Sequence, residues 1–217
     1  MTLHGRYVTL EPLDADRHSA DLWEAVRGHD ELWTWLSDGP YASEADLHRA
    51  LAEKQASSSA LFFAILPEEI GQAFPTPDVL ASRPATAAGY ASYMRIEPAH
   101  GVVEVGNILL TPTLQRTRAA TEAMYLMARH VFEQLGYRRY EWKCNAENEP
   151  SRRAALRLGF SFEGIFRRHM VIKDRNRDTA WFAMLDQEWP ARRQALEKWL
   201  DPENFDVLGK QRSSLRF

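Results

Sequence analysis

The chain has a single cysteine, Cys144, in 217 residues, so no internal disulfide framework holds it and its stability must come from a packed core. It has no apolar run near the roughly 18 residues that a membrane span needs. No opening stretch has the basic-then-apolar layout of a signal peptide, so the expected setting is reducing and cytoplasmic. A basic excess is missing too: 27 Lys and Arg stand against 30 Asp and Glu, for a net charge of -3, which leaves no broad positive field to attract nucleic acid. The seven histidines show no metal-ligand spacing, and no internal repeat is present. Membrane insertion, a nucleic-acid partner and a metal site are therefore not expected.

What is present is apolar material for one substantial core, 45% of the chain, and a single domain over residues 1–217 is the expectation. "GRYVTLEPL" (5–13) alternates as a strand, and Asp14 and Asp16 precede a helix through Leu22, Trp23 and Val26. Ser43, with Asp46 three residues on, resembles a capping box that opens a second helix toward Gln55. "ALFFAIL" (60–66) reads as a buried strand, and the four prolines of 67–87 mark an exposed loop. Two strands follow, "AGYASYMRIEP" and "GVVEVGNILLTP", around a tight connection at Ala99-His100-Gly101. Beyond a long helix comes the strand "RRYEWKC", then a short helix capped by Asn148, with Pro150 in its first turn and Gly159 as its stop. Two strands around the polar turn Lys173–Arg177 and a helix at about 188–200 end the pattern. The class is α/β with a mixed, mostly antiparallel sheet flanked by helices; only the strands either side of the long helix are joined in parallel βαβ fashion.

That long helix begins with a local contradiction. In "TPTLQRTRAATEAMYLMARH" (111–130) the residues Ala120, Ala123, Met124, Met127, Ala128, Val131 and Leu135 form one apolar stripe, with Gly136 as a stop signal. Arg116 and Arg118 stand at its start, where the helix dipole favours an anion and disfavours a cation by about 0.3–1 kcal/mol each. Either the first turn is a solvated basic one, tolerated at small cost, or a phosphate sits on the helix N-terminus and the arginines face it.

The stretch 104–164 resembles the GNAT superfamily of acyl-CoA N-acetyltransferases, and within it the Rim-type ribosomal-protein N-terminal acetyltransferases and their relatives. Several motifs carry the likeness in order. Gln115-Arg116-Thr117-Arg118-Ala119-Ala120 occupies the superfamily's Q/R-x-x-G-x-G/A pyrophosphate loop, with Arg118 where the first glycine usually stands. Asn148-x-x-Ser151 precedes Leu158-Gly159-Phe160 and Glu163-Gly164; Arg177-Asp178, an aromatic strand and Glu188-Trp189 follow. The first strand also matches, so the likeness covers nearly the whole chain.

The resemblance implies acetyl-CoA as acyl donor, lying between splayed parallel strands at Ile108–Leu110 and Tyr140–Lys143. Pantetheine would pair with the backbone of Ile108, Leu109 and Leu110, and the pyrophosphate would sit on N–H groups of Arg116 to Ala120. Asn148 and Ser151 are implied as further cofactor contacts, and Arg118 is read as helical with its side chain outward.

The acceptor implied is a primary amine, either a protein N-terminus or a small molecule. Such amines are protonated at neutral pH, with reference pKa values of about 7.7–8 for an α-amino group and about 10.4 for lysine, so a base is needed. Glu104 is the best-placed carboxylate; its ordinary alternative is a cross-strand ion pair. The backbone N–H of Ile108 or Leu109 would face the oxyanion. The tyrosine that many members place near the departing thiolate is Ala155 here, and Ser151 is the substitute candidate. Cys144 as an acyl-accepting nucleophile, and His169 or Asp178 in the acceptor cleft, are weaker readings than satisfied strand residues. Trp33, Trp35 and Tyr93 are candidates to meet the acceptor, against the commoner role of aromatic core. An exposed edge in the terminal hairpin would permit a homodimer. A non-catalytic acyl-CoA-binding or regulatory module is the competing function.

Overall fold

Capping chemistry sets the first helices where the sequence places them. The Asp14 side chain accepts from the Arg17 N–H at 3.0 Å and opens α1 (Ala15–Val26), and Ser43 accepts from the Asp46 N–H at 3.2 Å to open α2 (Glu44–Gln55). The capping box is half formed, because the Asp46 carboxylate receives the Ser43 hydroxyl at 2.7 Å instead of reaching a backbone N–H. The structure is a computed structural model that describes residues 1–68, 86–207 and 209–217. The expected proline-rich loop therefore lies, from residue 69 to 85, outside the described residues.

Eight strands follow the predicted sequence: β1 (Leu3–His4), β2 (Val8–Pro12), β3 (Ala60–Pro67), β4 (Gly89–Glu97), β5 (Val102–Leu110), β6 (Arg139–Asn145), β7 (Ser161–Ile172) and β8 (Arg175–Leu185). They hydrogen-bond in the order β1-β2-β3-β4-β5-β6-β8-β7. Pairing is antiparallel for β1–β2, β2–β3, β6–β8 and β7–β8, and parallel for β5–β6. The mixed, mostly antiparallel sheet with one parallel βαβ connection is thus observed. The expected opening strand, 5–13, is shorter, Val8–Pro12, and the two-residue β1 precedes it; between them the buried Glu122 carboxylate accepts from the Arg6 and Tyr7 N–H groups at 3.0 and 2.5 Å.

The long helix, α3, is α-helical over Arg118–Arg129 and continues as a π-helical turn over His130–Gln134. Its stripe from Ala120 to Val131 is buried, but Leu135 lies past the last turn and is 42% exposed. Thr121, Glu122, Tyr125 and Leu126 are buried as well, so the helix is covered on nearly every side and its apolar face is wider than the stripe. The remaining helices are α4 (Glu149–Arg157) and α5 (Trp189–Leu200).

The chain groups into two compact units. The first comprises Met1–Leu32, Gly39–Ser92 and Asn107–Ala123; the second comprises Trp33–Asp38, Tyr93–Gly106 and Met124–Phe217. In the first, Val8, Leu10, Leu22, Leu47, Leu51 and Ile65 form a core of side chains at most 1% exposed. In the second, Tyr140 gathers Tyr93, Phe132 and Phe160 at ring separations of 5.4–6.4 Å, and such contacts each add about 0.5–1.5 kcal/mol beyond area burial.

Candidate active site

Strand β5 carries the proposed chemistry, and its pairing explains why. Its parallel ladder with β6 runs from Val102↔Arg139 to Val105↔Trp142, although β5 continues to Leu110. Asn107 then takes a left-handed backbone with φ 48°, a conformation asparagine tolerates better than most residues and one that bends a strand. Its amide donates to Ser92 Oγ at 3.3 Å. A Cβ on Gly106 beside it would meet Met94 Sδ, so a side chain there would require Met94 to move. A glycine-asparagine pair inside a strand is a bulge signal that the sequence reading passed over.

Glu104 is buried, 4% exposed, in the second unit. Two cations approach its Oε2: Arg95 Nε at 2.9 Å and Lys143 Nζ at 2.9 Å, neither aligned as a hydrogen bond. Lys143 Nζ also lies 2.7 Å from Glu141 Oε2 and 3.8 Å from the centroid of the Trp181 ring. Glu141 pairs in turn with Arg139 at 2.6 Å, and Arg139 with Glu163 through two bonds of 2.8 and 2.5 Å. Burial pushes the Glu104 carboxyl above its ordinary value; Lys143 and Arg95 pull it back and Glu141 pushes it further up. Glu141 is also raised by burial, but Lys143 and Arg139 outweigh that and hold it below the usual carboxylate range. The arrangement sets one carboxylate raised by burial beside one held down by its cations.

The loop before α3 belongs to the first unit. Gln115 donates its amide to the Leu110 carbonyl at 2.9 Å, closing the turn. Thr117 is the N-cap: its hydroxyl accepts from the Ala120 N–H at 3.1 Å and donates to the Leu114 carbonyl at 2.7 Å. Arg116, and not Arg118, holds the left-handed backbone, with φ 61°. Arg118 is helical, as expected, but its guanidinium lies 4.8 Å from the Tyr7 ring centroid, so its side chain has a partner within the fold. No acidic residue stands in the first turn, and a 12-residue α-helix with an uncompensated positive end beside the exposed Arg116 fits a bound phosphate.

The other expected site residues divide by burial. Asn148 caps α4, its Oδ1 accepting from the Ser151 N–H at 3.1 Å, which leaves its amide nitrogen to meet a ligand. Ser151 Oγ accepts from the Trp142 indole at 3.0 Å. Cys144 is 5% exposed, and burial pushes its thiol up despite the Ser151 hydroxyl beside it, which suits a strand residue and not a nucleophile. Ala155 is fully buried.

Tyr93 is 2% exposed, donates to the Met127 carbonyl at 2.8 Å and stacks on His130 at 6.0 Å, contacts that suit the commoner role of an aromatic in the core. Trp33 is likewise 2% exposed, and its carbonyl accepts from Lys173 Nζ at 2.8 Å; Trp35 is half-buried and keeps an open face. Asp178 accepts from the Arg168 N–H and the Asn176 amide, and His169 meets Thr179 Oγ1, so both act as satisfied strand residues.

Fold and site define a class, the CoA-dependent acetyltransferases with a mixed sheet. The structure superposes on a GCN5-related N-acetyltransferase from Brucella melitensis with TM-score 0.90 and 48% identity, covering 99% of this chain and 92% of that one. It is also similar to a probable GNAT-family acetyltransferase from Chromobacterium violaceum, with TM-score 0.76 and 40% identity over 87% of this chain and 88% of that one. The acetyltransferase (GNAT) domain family matches residues 8–161, and the chain belongs to that family. Its family therefore uses acetyl-CoA as cosubstrate. Among curated proteins it is similar to the ribosomal-protein-serine acetyltransferase of Escherichia coli (strain K12), 29% identical over 97 residues, which are 45% of this chain and 54% of that protein. The match thus spans about half the length of that relative. Among the described residues no cluster of metal-ligating side chains occurs, and no helix is long and apolar enough to cross a membrane.

Proposed function

We propose that the protein transfers the acetyl group of acetyl-CoA directly to a primary amine in a ternary complex, with Glu104 as general base. The observation that carries this reading is the buried carboxylate of Glu104 on β5, raised by burial, in a chain of the acetyltransferase family. The acceptor ammonium loses a proton to Glu104, directly or through one water, and the neutral nitrogen attacks the thioester carbonyl. With both cations drawn to Oε2, Oε1 is the oxygen that takes the proton. The backbone N–H of Ile108 or Leu109, beyond the Asn107 bulge, stabilises the oxyanion. Position 155 has no hydroxyl, so the departing thiolate takes its proton from water or from Ser151, whose Oγ accepts from the Trp142 indole and keeps its own O–H to donate. The loop Gln115–Ala120 holds the pyrophosphate through its left-handed Arg116 and the start of α3.

The proposed acceptor is a protein N-terminus, with a small amine as the second class; the Escherichia coli relative is named for a ribosomal-protein serine. Trp35 is the aromatic retained as an acceptor contact. The fully buried Ala155 is what favours a second reading, an acyl-CoA-binding module without turnover. Thiol release from acetyl-CoA with a panel of N-terminal peptides and small amines, with mass detection of products, separates the two. An enzyme shows acceptor-dependent CoA release; a binding module shows thermal stabilisation by acetyl-CoA and no release with any acceptor.

A further inference from the structure

Glu104 and Glu141 are direct partners in the parallel β5–β6 register. Two carboxylates opposite one another on one face of a sheet repel, and an uncompensated pair destabilises it. Lys143, two residues beyond Glu141 on the same face of β6, places its ammonium within 2.9 Å of one and 2.7 Å of the other. The rest of that ammonium faces the indole of Trp181, its register partner on β8.

We propose that Lys143 is the positioning residue of this site: its ammonium, fixed between Glu104 and Glu141 and covered by Trp181, sets the charge of Glu104 and couples it to Glu141. This inference rests on the reading of Glu104 as the base.

Solvent exposure decides which cation governs. Arg95 contacts the same Oε2 at the same distance, but its side chain is 43% exposed, whereas that of Lys143 is 3% exposed. Water screens the Arg95 charge, while the Lys143 interaction runs through low-dielectric protein and is several-fold stronger at equal separation. The other charged groups near Glu104 are ranked the same way. Arg177 on β8 is near enough to feel Glu104 and Arg95, and His169 on β7 feels Arg95, Arg177 and Lys143. Arg139 and Glu163 neutralise each other at the far side of Glu141. Among the described residues, Lys143 alone contacts both carboxylates of the pair.

Carboxyl carbon NMR of Glu104, assigned by its loss in Glu104→Gln, reads the coupling in the whole protein without any ligand. Lys143→Met removes the charge and keeps much of the volume, so Glu104 should titrate at higher pH. Glu141→Gln keeps Lys143 and removes the neighbouring negative charge, so Glu104 should titrate at lower pH. Opposite displacements are the signature, because loss of mere packing lowers stability in both variants and moves neither titration. The acidic limb of the rate profile, with acetyl-CoA and the acceptor found in the panel above, should follow the same directions. For Lys143→Met, turnover at pH 6 should fall on the order of tenfold further than turnover at pH 9. Displacement in a common direction, or none, overturns the proposal. If Lys143→Met does not fold, the downward displacement in Glu141→Gln supports it and an unmoved titration overturns it. Parent turnover in Glu104→Gln would remove the base reading, and the Lys143 coupling would then stand or fall on the NMR titrations alone.

Discussion

Arg116 and Arg118, at the start of α3, are positive charges at the positive end of a helix, one of them exposed and left-handed and the other stacked on Tyr7. Lys143 is a positive charge buried between two carboxylates and an indole. In the loop, water screens each guanidinium, so its effect on its neighbours is small and falls with salt. In the β5–β6 cluster the same unit of charge acts at low dielectric and decides protonation. The loop is therefore suited to hold a mobile anion, and the cluster to move a proton. Substitutions in the first should show in affinity, and substitutions in the second in turnover and pH.

The largest effect should come from the cluster. Glu104→Gln keeps the shape and loses the basicity, so single-turnover acetylation should fall by roughly 10²–10⁴-fold while acetyl-CoA still stabilises the protein against heat. If turnover and the acidic limb are both unchanged, the carboxylate is structural and the comparison between the two regions collapses.

Next is the loop. Replacing Arg116 and Arg118 together with alanine should weaken acetyl-CoA about tenfold or more, since hydrogen bonds to charged groups are worth about 1.5–3 kcal/mol each, and should flatten the salt dependence. Most of that should already appear in Arg116→Ala, because the Arg118 guanidinium is held at Tyr7. Calorimetry at two salt concentrations checks both statements. Equal affinities in parent and double variant would take the phosphate off this helix.

These two regions were also unequally legible. The arginines, the N-cap at Asn148 and the order of elements are written in neighbouring residues, so spacing and propensity reveal them. The carboxylate of Glu104 was singled out through its motif, but Lys143 was not. Its importance depends on a register, Glu104↔Glu141, that sets residues nearly forty apart in sequence on one face, and no local pattern encodes it. The surroundings of Tyr93 are hidden for a related reason. An aromatic in an alternating strand gives no sign of which face meets α3, where its hydroxyl finds the Met127 carbonyl. The positive φ at Arg116 is hidden because the motif fixes where a glycine usually stands, not where this chain turns.

Tyr93→Phe decides between the core and the acceptor for this residue. Burial pushes the Tyr93 hydroxyl well above its ordinary value, so it keeps its proton and donates to the Met127 carbonyl. Removing the hydroxyl leaves that carbonyl short of a donor, at a cost of about 1–3 kcal/mol in stability, and acceptor KM should stay at the parent value. A raised KM with unchanged melting temperature would return Tyr93 to the acceptor site.

The smallest effect should come from Thr117, which the family motif assigns to the cofactor. Its hydroxyl is already engaged twice, accepting from the Ala120 N–H and donating to the Leu114 carbonyl, so little of it is left for a phosphate. Thr117→Ala should cost about 1 kcal/mol as a lost N-cap, or about 2–4 °C in melting temperature for a chain of this size. Acetyl-CoA affinity should change little, because the released Ala120 N–H can itself turn to the phosphate and offset the looser helix start. Thr117→Ser retains the hydroxyl and should restore the melting temperature. If instead alanine weakens acetyl-CoA as much as the arginine double variant does, with no loss of stability, Thr117 serves the ligand and not the fold. The loop would then resemble the cluster, in that its side chains would be committed to chemistry ahead of structure.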